Sequence, residues 1–113
     1  MADTYKILIA DDNQQNCELL DAYLSEEDYD IFMAFDGQQT LEKVIECKPD
    51  LILLDIMMPR LDGYQTCALI KNNSAFKATP VIMLASKDGL FDKAKGRIVG
   101  SDEYLTKPFS KDE

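Results

Sequence analysis

The strongest constraint on the fold is a run of four aliphatic residues, Leu51-Ile52-Leu53-Leu54, that ends in the carboxylate of Asp55. The run does not alternate with polar residues, which is typical of strands covered on both faces, such as the central strands of parallel sheets. An unpaired carboxylate at the end of such a strand is costly to bury. Asp55 therefore needs a cation or hydrogen-bond donors nearby, and the run predicts a parallel sheet with a polar site at its edge.

Short aliphatic runs alternate with longer amphipathic stretches along the rest of the chain. Strands are predicted at residues 7–10, 31–35, 51–54, 81–85 and 103–106. Helical spacing of apolar residues predicts helices after residue 13, at 40–48, near 64–71 and, more weakly, at 90–99. Parallel strands need crossover connections, so we predict an α/β fold with a doubly wound five-stranded parallel sheet. Ligands of such sheets bind at the carboxyl ends of the strands.

Composition narrows the possible functions. The 113 residues fit one domain, and 21 Asp and Glu against 12 Lys and Arg give a net charge of -9. This charge argues against direct contact with nucleic acid, whose phosphates attract basic surfaces. The chain has no histidine, which excludes Ser-His-Asp and Cys-His mechanisms.

The cysteines and the hydropathy pattern indicate the compartment. Cys17, Cys47 and Cys67 are odd in number and lack a CxxC spacing, which favours free, buried or half-buried thiols over disulfides or a zinc site. The chain has no signal sequence and no stretch long enough to cross a membrane. We therefore expect a cytoplasmic protein without membrane contact.

Charged residues follow three of the predicted strands, namely Asp11 and Asp12, Asp55, and Lys107. We therefore expect three carboxylates and one amine to converge at one edge of the sheet. Taken alone, Asp11 and Asp12 would more often cap a helix. Together, the carboxylates offer hard oxygen ligands that suit magnesium or calcium. A lysine beside them would supply a positive charge for a phosphoryl oxygen. The pattern indicates phosphoryl transfer to a carboxylate.

Four segments carry a resemblance to a known family: ADDN at 10–13, LILLDIMMPRLDGY at 51–64, PVIMLAS at 80–86 and EYLTKPF at 103–109. Their order and spacing resemble the receiver domains of bacterial two-component response regulators, with a chemotaxis-regulator-like fold. Each segment alone is weak evidence, but the four together are highly specific and cover essentially the whole chain. The resemblance implies a single receiver domain over residues 1–113 and the flavodoxin-like strand order 2-1-3-4-5. Residues 86–109 also resemble receivers tied to pilus-based motility.

The same resemblance implies roles for individual residues. Asp55 is the expected phosphoacceptor. Asp11 and Asp12 are expected to bind Mg²⁺ together with Asp55 and the backbone carbonyl of Met57, with Asp12 a more direct ligand than Asp11. Lys107 is expected to contact the phosphoryl group, and its peptide bond to the following proline is expected to be cis.

The resemblance also implies a conformational switch that responds to the phosphoryl group, and two further positions concern it. Tyr104 matches the aromatic residue whose rotamer reports the switch, and Asp62-Gly63 matches the turn after the acceptor loop. Ala85 departs from the family, which usually has Thr or Ser there to donate to the phosphoryl group. Three interpretations stay open: phosphorylation persists with a weakened response, Ser86 compensates, or the domain works without phosphorylation.

The resemblance also implies partners. The phosphoryl group would come from a histidine kinase or phosphotransfer protein, and the signal would pass to a downstream protein target or an output domain. Residues 110–113 have the S-x-x-E form of a capping box, which announces a fifth helix. We expect that helix to be largely missing through truncation, and the uncovered flank could support a homodimer.

Alternative functions differ in their requirements. A phosphorylation-independent pseudo-receiver, acting as a protein-interaction module, is favoured by Ala85 and by the missing last helix. It is opposed by Asp12, Asp55 and Lys107. A haloacid-dehalogenase-like phosphatase would need a second aspartate at the position of Met57. A flavodoxin-like flavin binder would need a glycine- or hydroxyl-rich loop after the first strand. We expect a signalling module that catalyses only its own phosphoryl transfer and dephosphorylation.

Overall fold

A computed structural model describes residues 4–56, 58 and 61–84 in full, and residues 85 and 103–106 through their backbone. Five strands lie in these ranges: β1 (Lys6–Ala10), β2 (Asp30–Ala34), β3 (Leu51–Asp55), β4 (Val81–Ala85) and β5 (Glu103–Thr106). They form one sheet of order β2-β1-β3-β4-β5, with every neighbouring pair parallel. The predicted α/β architecture and strand order are thereby confirmed. The helices expected at 90–99 and after residue 110 lie outside the described residues.

Three helices are described: α1 (Gln14–Leu24), α2 (Gly37–Cys47) and α3 (Gly63–Asn72). The start of α2 is three residues earlier than the predicted 40–48, because the Asp36 side chain caps it by accepting from the backbone N–H of Gln39 at 2.7 Å. The helix ends at Cys47, since Lys48 takes the left-handed conformation with φ 50°. None of the described helices is long and apolar enough to cross a membrane.

The sheet separates two groups of buried side chains. On one face, alternate residues of β1, β3 and β4 pack with α2 and α3, including Leu8, Leu54 and Ile70. On the other face, the intervening residues pack with α1, including Ile9, Leu53 and Cys17. The aliphatic run of β3 therefore contributes to both cores, as its lack of polar alternation predicted. Cys17 and Cys67 are buried and Cys47 is half-buried, and none of the three forms a disulfide, as predicted.

Strand β2 begins and ends one residue earlier than the predicted 31–35. Its first residue, Asp30, enters the ladder by donating its backbone N–H to the carbonyl of Tyr5 at 2.9 Å. The residue after the strand, Phe35, instead donates its N–H to the side chain of Gln39 at 3.0 Å. This N–H lies at the open edge of the sheet, and β2 ends at Ala34, opposite Ala10, the last residue of β1.

Candidate metal centre

Three carboxylates meet at the carboxyl end of the two central strands. Asp11 and Asp12 directly follow β1, and Asp55 is the last residue of β3, the strand paired with β1. One oxygen from each carboxylate lies within 4.8 Å of the other two. Asp11 is 0% exposed and Asp55 is 2% exposed, whereas Asp12 is exposed. The sequence prediction that these three residues converge is therefore confirmed.

Asp11 is held by the first turn of α1. Its Oδ1 accepts from the backbone N–H of Asn13 at 2.9 Å, and its Oδ2 accepts from the side-chain amide of Asn16 at 3.2 Å. The backbone carbonyl of Asp11 accepts from the Cys17 thiol at 3.5 Å. The capping alternative for Asp11 and Asp12 is wrong, because Asn13 is the N-cap and its side chain accepts from the N–H groups of residues 15 and 16.

Asp55 is the last residue of β3, and the loop before α3 begins directly after it. It pairs with Leu84 on β4, and the next residue, Ile56, donates its N–H to the Leu84 carbonyl at 3.2 Å. The Ile56 carbonyl then accepts from the N–H of Gly63 at 2.8 Å. These contacts fix the backbone that directly follows Asp55.

Gly63 brings the start of α3 against the backbone of Asp55. A Cβ atom at Gly63 would overlap the Asp55 carbonyl oxygen and lie 2.7 Å from the Cα of Ile56. Only glycine therefore fits this approach without a shift of the main chain. Sequence reasoning assigned Asp62-Gly63 to a turn and missed this contact, although the D-x-x-Q spacing of residues 62–65 is a helix-start signal.

The donor set suits a hard divalent cation. All three side chains offer oxygen, and two of them are almost fully buried. Three carboxylates this close repel one another, and a divalent cation between them offsets that repulsion. The sequence places no Lys or Arg between residues 7 and 42, so the α1 side of the cluster brings no basic side chain. Magnesium binds through one or two carboxylates and retains waters, which fits a cluster that is open to solvent at Asp12.

The structure describes only some of the other predicted site residues. Ala85 is the last residue of β4 and lies opposite Thr106, at the same end of the sheet as Asp55. Tyr104 is in β5, opposite Met83. Met57, Lys107 and the peptide bond after Lys107 lie outside the described residues, so their assigned roles stay predictions.

Comparison with known proteins gives consistent matches. A family model described as the response regulator receiver domain matches residues 7–113. Protein PilG of Pseudomonas aeruginosa is 61% identical over 112 residues, which cover 99% of this chain and 83% of PilG. The alkaline phosphatase synthesis transcriptional regulatory protein PhoP of Bacillus subtilis is 43% identical over 105 residues, 93% of this chain but 43% of PhoP.

Solved structures give the same fold. The chemotaxis response regulator CheY4 of Vibrio cholerae superimposes with a TM-score of 0.91 at 28% identity, covering 97% of this chain and 92% of CheY4. The receiver domain of the Francisella response regulator 1452 gives a TM-score of 0.86 at 37% identity, covering 96% of this chain and 88% of that one.

Proposed function

Since this chain belongs to the response regulator receiver domain family, we propose that it is a phosphorylation-dependent signalling switch whose phosphoacceptor is Asp55. The observation that carries this proposal is the cluster of Asp11, Asp12 and Asp55, whose carboxylate oxygens lie within 4.8 Å of one another. Packing of the core does not require a buried carboxylate at the end of a central strand, beside two others. It is explained by a cation and by chemistry at Asp55.

The proposed reaction transfers a phosphoryl group from a phosphohistidine to Asp55. One carboxylate oxygen of Asp55 attacks the phosphorus, a P–O bond forms, and the P–N bond of the donor breaks. The imidazole nitrogen keeps the electron pair of that bond and takes up a proton. The donor belongs to a histidine kinase or a phosphotransfer protein, because this chain contains no histidine. Hydrolysis of the resulting acyl phosphate by water returns Asp55 and releases inorganic phosphate.

Magnesium is the proposed cofactor of both steps. Asp12 and Asp55 would hold it, with Asp11 beside them and the backbone carbonyl of Met57 as a further ligand. When bound, such an ion compensates the charge that develops on the transferring group. The chain's own contribution is placement: the β1 and β3 ends bring the carboxylates together, and the start of α3 fixes the Asp55 backbone.

The output of the proposed switch is a change of protein partner. Lys107 would contact the new phosphoryl group, and Tyr104 would report the change from its place on β5. The phosphorylated receiver would then present a different surface to a downstream protein or output domain. This requires two conformations of the receiver that are close in free energy. PhoP is named as a transcriptional regulator and CheY4 as a chemotaxis regulator, so relatives of this chain serve more than one kind of output.

A phosphorylation-independent interaction module is the second candidate. It is favoured by Ala85, which stands at the carboxyl end of β4 where the family usually has a hydroxyl donor. Loss of one neutral hydrogen bond removes only about 0.5–1.5 kcal/mol, so Ala85 is compatible with phosphorylation and a weaker response. The retained carboxylate cluster favours the switch over this alternative.

Intact-mass spectrometry after incubation with acetyl phosphate distinguishes the two candidates. We expect one phosphoryl adduct that requires Mg²⁺ and that is absent from Asp55→Asn. Glu18→Gln is the matched control, because it also removes one carboxylate but from an exposed position on α1. A folded wild-type chain that forms no adduct would support the interaction module.

A further inference from the structure

We propose that Asn16 is a positioning residue for the divalent cation, because it fixes the carboxylate of Asp11 through a neutral donor. The inference rests on the Mg²⁺ site proposed above and adds a residue that does not touch the cation. The side-chain amide of Asn16 donates to Oδ2 of Asp11 at 3.2 Å. The residue is half-buried in the first turn of α1 and was not among the predicted site residues.

The contact restrains both oxygens of Asp11 in combination with the backbone. The N–H of Asn13 donates to Oδ1 at 2.9 Å, so rotation of the carboxylate would break one bond or the other. A carboxylate has about four acceptor positions, so accepting these two bonds is compatible with facing a cation. Partners behind a ligand commonly set its orientation in this way.

The neutrality of the donor matters as much as its position. A lysine or arginine at residue 16 would form an ion pair with Asp11 and compensate the charge that attracts a divalent cation. An amide and a backbone N–H orient the carboxylate and leave its formal charge in place. Residues 14–16 are Gln, Gln and Asn, and the sequence has no Lys or Arg from 7 to 42. The helix start beside the cluster is therefore polar but uncharged.

The same turn contains a matched control. Gln14 donates its side-chain amide to the carboxylate of Glu18 at 3.2 Å, the same type of bond at the same length. That pair is exposed, and Glu18 is not part of the carboxylate cluster. Asn16→Ala and Gln14→Ala thus remove equivalent groups from one helical turn, and only the first loses contact with Asp11.

The experiment is a magnesium titration of the wild-type chain and both variants. Binding is monitored through the NMR signals of the backbone amides of residues 11–16. We expect Asn16→Ala to weaken Mg²⁺ binding about ten-fold, the lower end for partners of metal ligands. Gln14→Ala should bind as the wild-type chain does. The rate of phosphorylation by acetyl phosphate, measured against Mg²⁺ concentration, should show a raised half-saturating concentration for Asn16→Ala and an unchanged maximal rate.

The outcomes separate this inference from the proposed function. A wild-type chain without saturable Mg²⁺ binding would overturn the metal site itself. Wild-type binding with equal affinity in Asn16→Ala and Gln14→Ala would overturn the role of Asn16 alone. A lower maximal rate with unchanged Mg²⁺ affinity would assign Asn16 a merely structural role and also overturn the inference. If Asn16→Ala folds poorly, Asn16→Leu with Gln14→Leu as its control repeats the test at a volume closer to the native one.

Discussion

The starts of helices α2 and α3 are nearly identical in sequence and in local structure. Residues 36–40 read DGQQT and residues 62–66 read DGYQT. In each, the aspartate accepts from the N–H three residues later, at 2.7 Å for Asp36 and 2.8 Å for Asp62. In each, the glutamine accepts from a backbone N–H at the helix entry, and the threonine hydroxyl donates to the aspartate carbonyl. Local sequence therefore determines both helix starts in the same way.

The two starts differ in what lies behind their glycines. A Cβ atom at Gly37 would lie 2.5 Å from the Cβ of Leu61 and 2.6 Å from the hydroxyl oxygen of Thr66, both next to the start of α3. A Cβ atom at Gly63 would meet the backbone of Asp55 and Ile56. The start of α2 therefore supports the start of α3, and the start of α3 supports the proposed phosphoacceptor. The same local motif is structural in one place and part of the site in the other.

Gly63→Ala should have the largest effect. The added Cβ meets only backbone atoms, so the end of β3 or the start of α3 must move. We expect a loss of about 3 kcal/mol in the free energy of unfolding, as for severe overpacking. We also expect phosphorylation of Asp55 to slow by more than about ten-fold, because the acceptor is misplaced. Urea unfolding and a mass-spectrometric time course measure the two effects, and wild-type values for both would refute the contact.

Gly37→Ala is the matched substitution and should affect stability alone. Its Cβ would meet the Leu61 side chain and carbonyl and the Thr66 hydroxyl, so these atoms must shift, but none of them belongs to Asp55 or Ile56. We expect a loss of about 1–2 kcal/mol in the free energy of unfolding and a phosphorylation rate close to that of the wild-type chain. A rate reduced as strongly as in Gly63→Ala would contradict the distinction between the two starts.

The two capping aspartates should contribute equally to the free energy of unfolding. Asp36→Ala and Asp62→Ala each remove one N-cap acceptor, and each should lower the free energy of unfolding by about 1 kcal/mol. Urea unfolding of both variants gives the comparison directly. If one variant were as stable as the wild-type chain, local sequence would not determine the two starts equally.

The threonines should have the smallest effect. Thr40 and Thr66 are both fully buried, and each hydroxyl donates to the carbonyl four residues earlier. That carbonyl also accepts the threonine's own N–H at 3.0 Å in both helices, so it keeps a partner in a Thr→Val variant. We expect each change to cost less than about 1 kcal/mol of unfolding free energy. A larger loss at Thr66 alone would reveal a further contact with the site.

Much of the fold followed from patterns that extend over several residues. The aliphatic run of β3 predicted its burial on both faces, and the regular alternation of strands and helices predicted the parallel sheet. The convergence of Asp11, Asp12 and Asp55 followed from topology, because parallel strands bring their carboxyl ends to one edge. The predicted limits of β2 and the predicted start of α2 were less accurate, since β2 pairs with β1 over residues 30–34 and the Asp36 side chain sets the start of α2.

The details of the site depend on contacts that no local pattern encodes. Asp11 and Asp12 are adjacent and identical, yet only Asp11 is buried, and its N–H extends the β1–β2 ladder by donating to the Ala34 carbonyl at 3.0 Å. The bond from Asn16 depends on how α1 leaves β1. The contact of Gly63 with Asp55 depends on how closely α3 approaches β3. Each of these is a distance between elements, which sequence periodicity does not specify.

The most direct test of the central claim is to locate the phosphoryl group among the three neighbouring carboxylates. The chain is incubated with acetyl phosphate and Mg²⁺, the acyl phosphate is reduced with borohydride, and the modified peptide is sequenced by mass spectrometry. Reduction converts a phosphorylated aspartate to homoserine, which marks the acceptor permanently. The account predicts homoserine at residue 55 only. Homoserine at residue 11 or 12, or no Mg²⁺-dependent mark in a folded chain, would contradict it.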